Sequence, residues 1–556
     1  MRIASGRLEP TLSGLFLILC ILCLPLYHGG GYGLASPVSC LIWSILAVCC
    51  VVQLGSTHPR AEVLLSTSDW PLLTAVLLFG TSTLWRWESA AEPQLLLALV
   101  AVLFLYVSVR QTAHRSLEQF LWIIVAGGAL QTIYAWLLFL KVFSAIDLRS
   151  TALVGGFLQP NVLASFLATA LAAIGVLFDS TKTNFTSHRA LALYIALFLI
   201  STTLVSIGSR TGWIAMSFVT VLSLSWIKPP VRLGYIVVIT MSLALAIWLQ
   251  SFIPELHARV SERFELTTNG RFRAWMITLP LILEKPWLGF GLDSFNREHV
   301  EALAAAAALQ TPGVRQWAGL DHPHNFILNW WFTGGLGTLI AFTIMAGWHL
   351  WALSKIRIRE RWFFLALMAP IYLHMQTEFP FRQSPLHILL VINIIALLSA
   401  RAFSSSKVMR ITQWHHPPMI TGIRTLAGIA VVVLILEAWN SWFIFRATNH
   451  PDEHATDLQR VVFPITSQQR YEDAVAIVSM QRARSSGNAT YYSYFADWAE
   501  KKIITTPRPE IYEALIEAHI ALKNQASAKH FYEEMMYLFP TTKTQFKRQR
   551  IEPADE

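Results

Sequence analysis

Residues 161–178 read NVLASFLATALAAIGVLF, eighteen positions without a charge. At 1.5 Å per residue such a run covers most of the roughly 30 Å hydrocarbon core of a bilayer, so it reads as a membrane span. Runs of the same kind occur at 12–27, 34–54, 70–86, 94–109, 119–143, 190–208, 211–227, 233–253, 325–353, 362–377, 385–400 and 422–445. About 12–13 spans are therefore expected, and the fold class is an all-α polytopic membrane protein. The first run follows Arg2 and Arg7 but leads straight into a second one with no small-x-small site. It is read as an uncleaved span rather than a signal peptide.

Composition agrees. Of 556 residues, 54% are hydrophobic and 14% charged, and the mean hydropathy is +0.47. Soluble domains carry roughly 45–50% apolar and about 25% charged residues, so a disordered or ordinary soluble chain is excluded. Charge concentrates at the end: 29 of the 111 residues from Arg446 to Glu556 are charged, 14 basic and 15 acidic. The chain thus divides into a membrane domain, 1–445, and an extramembrane domain, 446–556. The chain's net charge is +9; with the tail at −1 the membrane part carries +10, which its connecting loops explain, so no nucleic-acid partner is implied. All five cysteines precede residue 51 and lie in or beside apolar runs. Cys20 and Cys23 have redox spacing but fall inside a span, and read as packed thiols.

With the N-terminus inside, the inside segments hold sixteen Lys and Arg and the short outside loops five: Arg86, Lys141, Arg149, Arg210 and Arg382. This positive-inside bias and an odd number of spans put the C-terminal domain outside, together with the long loop of about 254–324. In that loop Phe272, Trp275, Leu279 and Ile282 recur at helical spacing, predicting one or two short helices near the membrane surface, kinked or broken by Pro280. The tail predicts helices at Glu510–Leu522 and Ala526–Phe539, a TPR-like pair, with 467–504 supplying partner helices.

Four polar clusters fall on the outer face, where polar groups at the membrane tend to be functional. Gln159-Pro160-Asn161 opens a span, and is equally a helix cap. Ser209-Arg210 lies in an almost absent loop, with Arg210 either a headgroup anchor or a fixed cation for an anionic substrate. Arg271 and Arg273, in Asn269-Gly270-Arg271-Phe272-Arg273, admit the same two readings. His322-Pro323-His324-Asn325 opens the span that carries Gly334, Gly335 and Gly337. Its two-residue spacing is not the i, i+4 arrangement of a helical metal pair. A histidine here suits general-base work, and a polar cap is the plain alternative. Together, arginines and a histidine beside lipid are what transfer from a lipid-linked pyrophosphate requires. No Gly-rich phosphate loop is present.

The order Gln-Pro-Asn, Ser-Arg, Gly-Arg-x-x-x-Trp with Pro286-x-x-Gly289-x-Gly291, then His-x-His-Asn, resembles the bacterial O-antigen ligase and polymerase superfamily. Gln159-Pro160-Asn161-Val162-Leu163-Ala164 and the helical tail are most similar to its protein (pilin-type) O-oligosaccharyltransferase branch. The resemblance implies about a dozen helices in the bacterial inner membrane and a periplasmic active site and C-terminus. It implies neither cofactor nor metal. It further implies transfer of a glycan from undecaprenyl pyrophosphate to a periplasmic protein such as pilin. The matching positions are Arg210, Arg271, His324 and Gln159; His324, Arg210 and Arg271 are expected to be catalytic, and Gln159, with Asn161, Arg273, His322 and Asn325 beside them, to bind substrate. In that branch a Tyr often follows the Glu-x-Pro stretch. Here Glu378-Phe379-Pro380 is followed by Phe381, Arg382 and Gln383. Ligation to lipid A core, O-antigen polymerisation and lipid-linked sugar transport are the alternatives. A transporter should gather its polar groups at the midplane and show internal repeats, and neither pattern is seen.

Overall fold

The computed structural model describes residues 40, 42–44, 64–86, 91–112, 117–142, 152–157, 159–180, 188–308, 320–403, 408–410 and 417–540. The span expected at 12–27 lies outside them, as does most of 34–54. The chain is all-α apart from a two-stranded antiparallel ladder, β1 (Leu64–Ser66) on β2 (Val408–Arg410), with Leu65 opposite Met409.

The chain forms two compact units. The first comprises 1–76, 98–267 and 342–435. Its helices are α1 (Trp70–Leu84) and α2 (Ala91–Thr112), both shared with the second unit, then α3 (Leu117–Phe139), α4 (Pro160–Ser180), α5 (His188–Ser206), α6 (Arg210–Trp226) and α7 (Pro229–Phe252). The long loop then opens with α8 (Pro254–Glu284) and α9 (Phe295–Ala308). Next come α10 (Phe326–Lys355), α11 (Ile358–Met375), the short α12 (Pro380–Gln383), α13 (Pro385–Ala402) and α14 (Pro417–Asn449). Among the described residues seven helices are long and apolar enough to cross a membrane. The expected spans at 70–86 and 211–227 form helices of only 15 and 17 residues, short of the usual 20 or so. The span at 362–377 forms α11, whose first turns carry Arg359, Glu360 and Arg361.

α4 is the axis of the first unit. Of its span, 94% is buried, against 22% for α7. Its alanine-rich sequence explains this, because small side chains let neighbouring backbones approach. A Cβ on Gly128 of α3 would stand 2.7 Å from Ala170, and one on Gly212 of α6 would stand 2.7 Å from Ala164. One end of the unit is fixed by a buried carboxylate. Asp69 accepts bonds from Tyr106 Oη (2.8 Å), Ser399 Oγ (2.6 Å) and the Ser66 N–H (2.9 Å), and pairs with buried Arg110 at 3.6 Å.

The second unit comprises 77–97, 268–341 and 436–556. Its tail carries the one-turn α15 (Pro451–His454), then α16 (Gln468–Ser486), α17 (Ala489–Thr505), α18 (Pro509–Ala521) and α19 (Gln525–Leu538). The expected pair is therefore present, and 467–504 does supply two further helices. Gly487, with φ 68°, ends α16 in the left-handed conformation, and Asn488 caps α17 by accepting from Thr490 N–H at 2.9 Å. The tail does not form its core alone. Val300 and Ala304 of α9 are buried in the same apolar cluster as Ala499, Ile503, Tyr512 and Leu515. Arg297 of α9 pairs with Glu301 and reaches Glu534 (3.5 Å) and the Ile503 carbonyl (3.3 Å).

The long loop corrects one expectation. In place of short helices broken at Pro280, α8 runs 31 residues and passes through Pro280 to Glu284. Pro280 lies in its last turns on an exposed face with Met276. The Met276 carbonyl, deprived of its N–H partner, can tilt outward there at little cost.

Candidate functional site

The sequence-predicted residues divide between the units: Gln159, Asn161 and Arg210 in the first, and Arg271, Arg273, His322, His324 and Asn325 in the second.

In the first unit three features meet at one end of the bundle. Gln159 is the N-cap of α4: its Oε1 accepts from the Val162 N–H at 3.2 Å, so the capping reading of this residue holds. The turn before it is held by Gln131, whose Oε1 accepts from the Gly156 N–H at 2.9 Å. Asn161 comes next, half-buried. Ser209 caps α6 by accepting from the Gly212 N–H at 3.1 Å, which sets half-buried Arg210 in the first turn. Thr211 Oγ1 lies 3.1 Å from Thr377 Oγ1, tying α6 to the end of α11. Buried Glu378 is the next residue, its N–H donating to the His374 carbonyl at 2.9 Å. Beneath this surface Ser165 Oγ bridges His374 Nδ1 (2.8 Å) and His387 Nε2 (2.9 Å), all three buried. His387 and Ser165 escaped the sequence reading, because their partners come from three separate helices.

In the second unit α8 carries both arginines and is tied to the histidine segment through Trp275, one turn beyond Arg271, whose Nε1 donates to the Pro323 carbonyl at 2.9 Å; Arg271 and Arg273 are half-buried. His322 and His324 have ring centroids 4.5 Å apart. His324 has φ 52°, a left-handed backbone that non-glycine residues rarely adopt and that recurs at functional sites. Asn325 fixes the start of α10: its Oδ1 accepts from the Leu328 N–H at 3.0 Å and caps the helix. The entry to the motif is held by Asn296, which donates to the Leu320 carbonyl at 3.1 Å. From the tail, Arg508 pairs with Asp321 at 3.2 Å.

His299 of α9 belongs to this cluster and carries no signal in the sequence. It is 1% exposed, stacks on Phe295, and neither ring nitrogen has a hydrogen-bond partner among the described residues. Burial, and secondly the charge of His324, push its pKa down to about 4. It therefore stands neutral at neutral pH.

The glycines of the two motifs have one structural cause. Gly335 breaks the α10 ladder with φ 65° and ψ −156°, a region open to glycine alone. The turn 287–291 fills the gap. The Leu336 N–H donates to the Trp287 carbonyl (3.2 Å), and the Phe290 and Gly291 N–H groups donate to the Phe332 (2.8 Å) and Thr333 (2.9 Å) carbonyls. Gly289 approaches so closely that a Cβ would stand 2.6 Å from the Phe332 carbonyl oxygen. Arg86, counted only as a loop charge from the sequence, donates to the Phe290 carbonyl at 3.2 Å.

Two family models match the chain. Residues 195–343 match the O-antigen ligase model. Residues 362–551 match the C-terminal model of the virulence-factor membrane-bound polymerases. Neither match covers half of the chain; over these two segments it is similar to the O-antigen ligases and to the membrane-bound polymerases, and its apolar helices make it a multi-pass membrane protein. The ligase match contains Arg210, Arg271, Arg273, His322, His324 and Asn325, while Gln159 and Asn161 precede it. The polymerase match takes in Glu378, α13, α14 and the tail. No curated protein matches the chain.

Proposed function

We propose that this chain is a protein O-oligosaccharyltransferase of the bacterial inner membrane, working at the periplasmic face. It moves a preassembled glycan from undecaprenyl pyrophosphate to a hydroxyl of a periplasmic protein such as pilin. The observation that carries the reading is the His324 segment, held in a left-handed backbone by a cap on one side and the Trp275 bond on the other, within the ligase match.

In this mechanism His324 takes the proton of the acceptor hydroxyl as its oxygen attacks the anomeric carbon of the glycan. The bond from that carbon to the pyrophosphate oxygen breaks, and undecaprenyl pyrophosphate departs with the electron pair. Arg210 and Arg271 hold the pyrophosphate and stabilise the charge that develops on it. Arg273, His322 and Asn325 complete the substrate contacts with Gln159 and Asn161. No metal takes part. Extramembrane residues 446–556 contribute a TPR-like surface to the acceptor side.

A second reading, glycan polymerisation, is favoured by the polymerase match over 362–551. The test is purified protein with undecaprenyl-pyrophosphate glycan and, in separate reactions, pilin, lipid A core and a second lipid-linked glycan. Glycosylated pilin supports the proposal. Transfer to lipid A core alone, or lengthened lipid-linked glycan alone, replaces it with ligation or polymerisation.

A further inference from the structure

The segment Val461-Val462-Phe463-Pro464-Ile465 lies between the last membrane helix and the helices of the tail; Val461 packs against the cluster of Ile444 and Leu458, while Val462, Phe463 and Ile465 are exposed. Phe463 is 86% exposed and Ile465 59%. Phe463 has φ 46°, so its outward presentation is bought with backbone strain. Exposure of this kind in a connector is a poor arrangement in water.

The backbone beneath tells a different story from the side chains. Glu437, buried in α14, accepts from the Ile465 N–H, from Thr466 Oγ1 (2.9 Å) and from the Ser467 N–H (3.1 Å) and Oγ (2.8 Å). Asn440 makes a two-way pair with Val462, accepting its N–H (2.9 Å) and donating to its carbonyl (2.8 Å). The Val461 N–H donates to the Leu458 carbonyl at 3.3 Å, and Pro464 has no N–H to place. The Val461, Val462 and Ile465 N–H groups and the Val462 carbonyl are thus satisfied inward, while the Phe463 amide has no partner among the described residues; this suits a surface with headgroups and water within reach better than hydrocarbon.

The occupant is indicated by continuity with the membrane helix. The segment lies alongside α14, itself a span, beside exposed Trp439 and Trp442. Arg460 sits at the level of Phe443, its guanidinium 5.4 Å from that ring, and Ser467 at the level of Glu437. Polar residues thus bracket the apolar run over six residues of helix, about 9 Å of rise. That is far too thin for the roughly 30 Å hydrocarbon core and suits the interfacial layer outside it. Tryptophans are the residues that mark this layer.

We propose that Val462–Ile465, with Trp439 and Trp442, is a lipid-interface anchor. It sets the acyl–headgroup boundary at Trp439–Trp442, so that the last turns of α14 stand above the hydrocarbon. The full chain is reconstituted in phospholipid nanodiscs with its five native cysteines replaced by alanine. An environment-sensitive fluorophore is placed on Phe463→Cys, on Ile465→Cys and on the exposed polar control Glu453→Cys. The expected result is blue-shifted emission at 463 and 465, with stronger quenching by nitroxide-labelled lipid near the headgroup than at the chain end. Aqueous iodide should quench only the control strongly. Emission at 463 and 465 like the control, quenched by iodide, overturns the proposal. So does protection from both iodide and lipid nitroxide, which would mean a protein covers the segment. Both positions are exposed, so neither substitution removes packing.

Discussion

Asn325 allows the capping role of the His-x-His-Asn motif to be separated from its chemistry. Its Oδ1 meets the Leu328 N–H at 3.0 Å in a buried position. Asn325→Ala removes the acceptor and leaves one of the first amides of α10 unpaired, a loss of about 1–2 kcal/mol. Asn325→Asp keeps an acceptor of the same shape, and its charge is favourable at a helix N-terminus. The aspartate variant should therefore melt at or above the wild-type temperature, while the alanine variant melts lower. Activity should run in a different order. A carboxylate next to His324 favours the charged form of the imidazole in this variant. The acid limb of the pH–rate profile should move to higher pH in Asn325→Asp, with the plateau preserved above it. The assay pairs thermal melts in detergent with initial rates from about pH 5.5 to 9, a range that brackets histidine titration. An aspartate variant with an unmoved acid limb would sink His324 as the base. An alanine variant as stable as wild type would sink the cap.

His324→Ala should abolish transfer with insertion intact, His322→Ala should cost less, and a chelator should leave the wild-type rate unchanged; equal losses in both variants, or chelator sensitivity, would reinstate a metal. Arg210→Lys and Arg271→Lys keep the charge but lose the paired hydrogen bonds, worth roughly 1.5–3 kcal/mol, so initial rates should fall about tenfold to a hundredfold with every acceptor. An effect confined to one acceptor would remove that arginine from the pyrophosphate. His299, held near pKa 4 when folded against 6.5 in the open chain, binds fewer protons in the native state. Its burial therefore costs stability as pH falls from about 6.5 towards 4. Melting temperature should drop between about pH 7 and 5 in the wild type, and His299→Phe should flatten that drop; an unchanged slope would refute the linkage.

What the sequence discloses depends on how local each cause is. The run 161–178 is apolar throughout, so α4 was legible from its own residues. The sequence at Pro280 leaves a kink and a break open, because a proline breaks a helix only where its freed carbonyl has nowhere to turn, and exposure is a tertiary property. Candidate residues could be found at Arg210, Arg271 and His324 because charge beside lipid is rare. The capping duty of Gln159 could be weighed but not decided, since the distance to Val162 was needed. His299 and the Ser165 bridge were illegible: a lone histidine among charged residues, or a serine in an apolar run, becomes notable only when distant helices surround it. Glycines 289, 291 and 335 stood out as a pattern whose meaning lies in pairing across some forty residues.

That pairing sets a rule for engineering the chain. The turn 287–291 is stitched at both ends to consecutive turns of α10, on either side of the Gly335 break. Its length is therefore a gauge. Adding or deleting a single residue between Trp287 and Gly291 would slide three hydrogen bonds out of register and leave the break in α10 unfilled. Tags, reporter insertions and chimeric junctions placed in this turn would damage the helix that begins at the histidine motif, some forty residues away in the chain. A junction at Gly487, in the exposed turn from α16 to α17, interrupts only bonds local to that turn and offers the tolerant alternative.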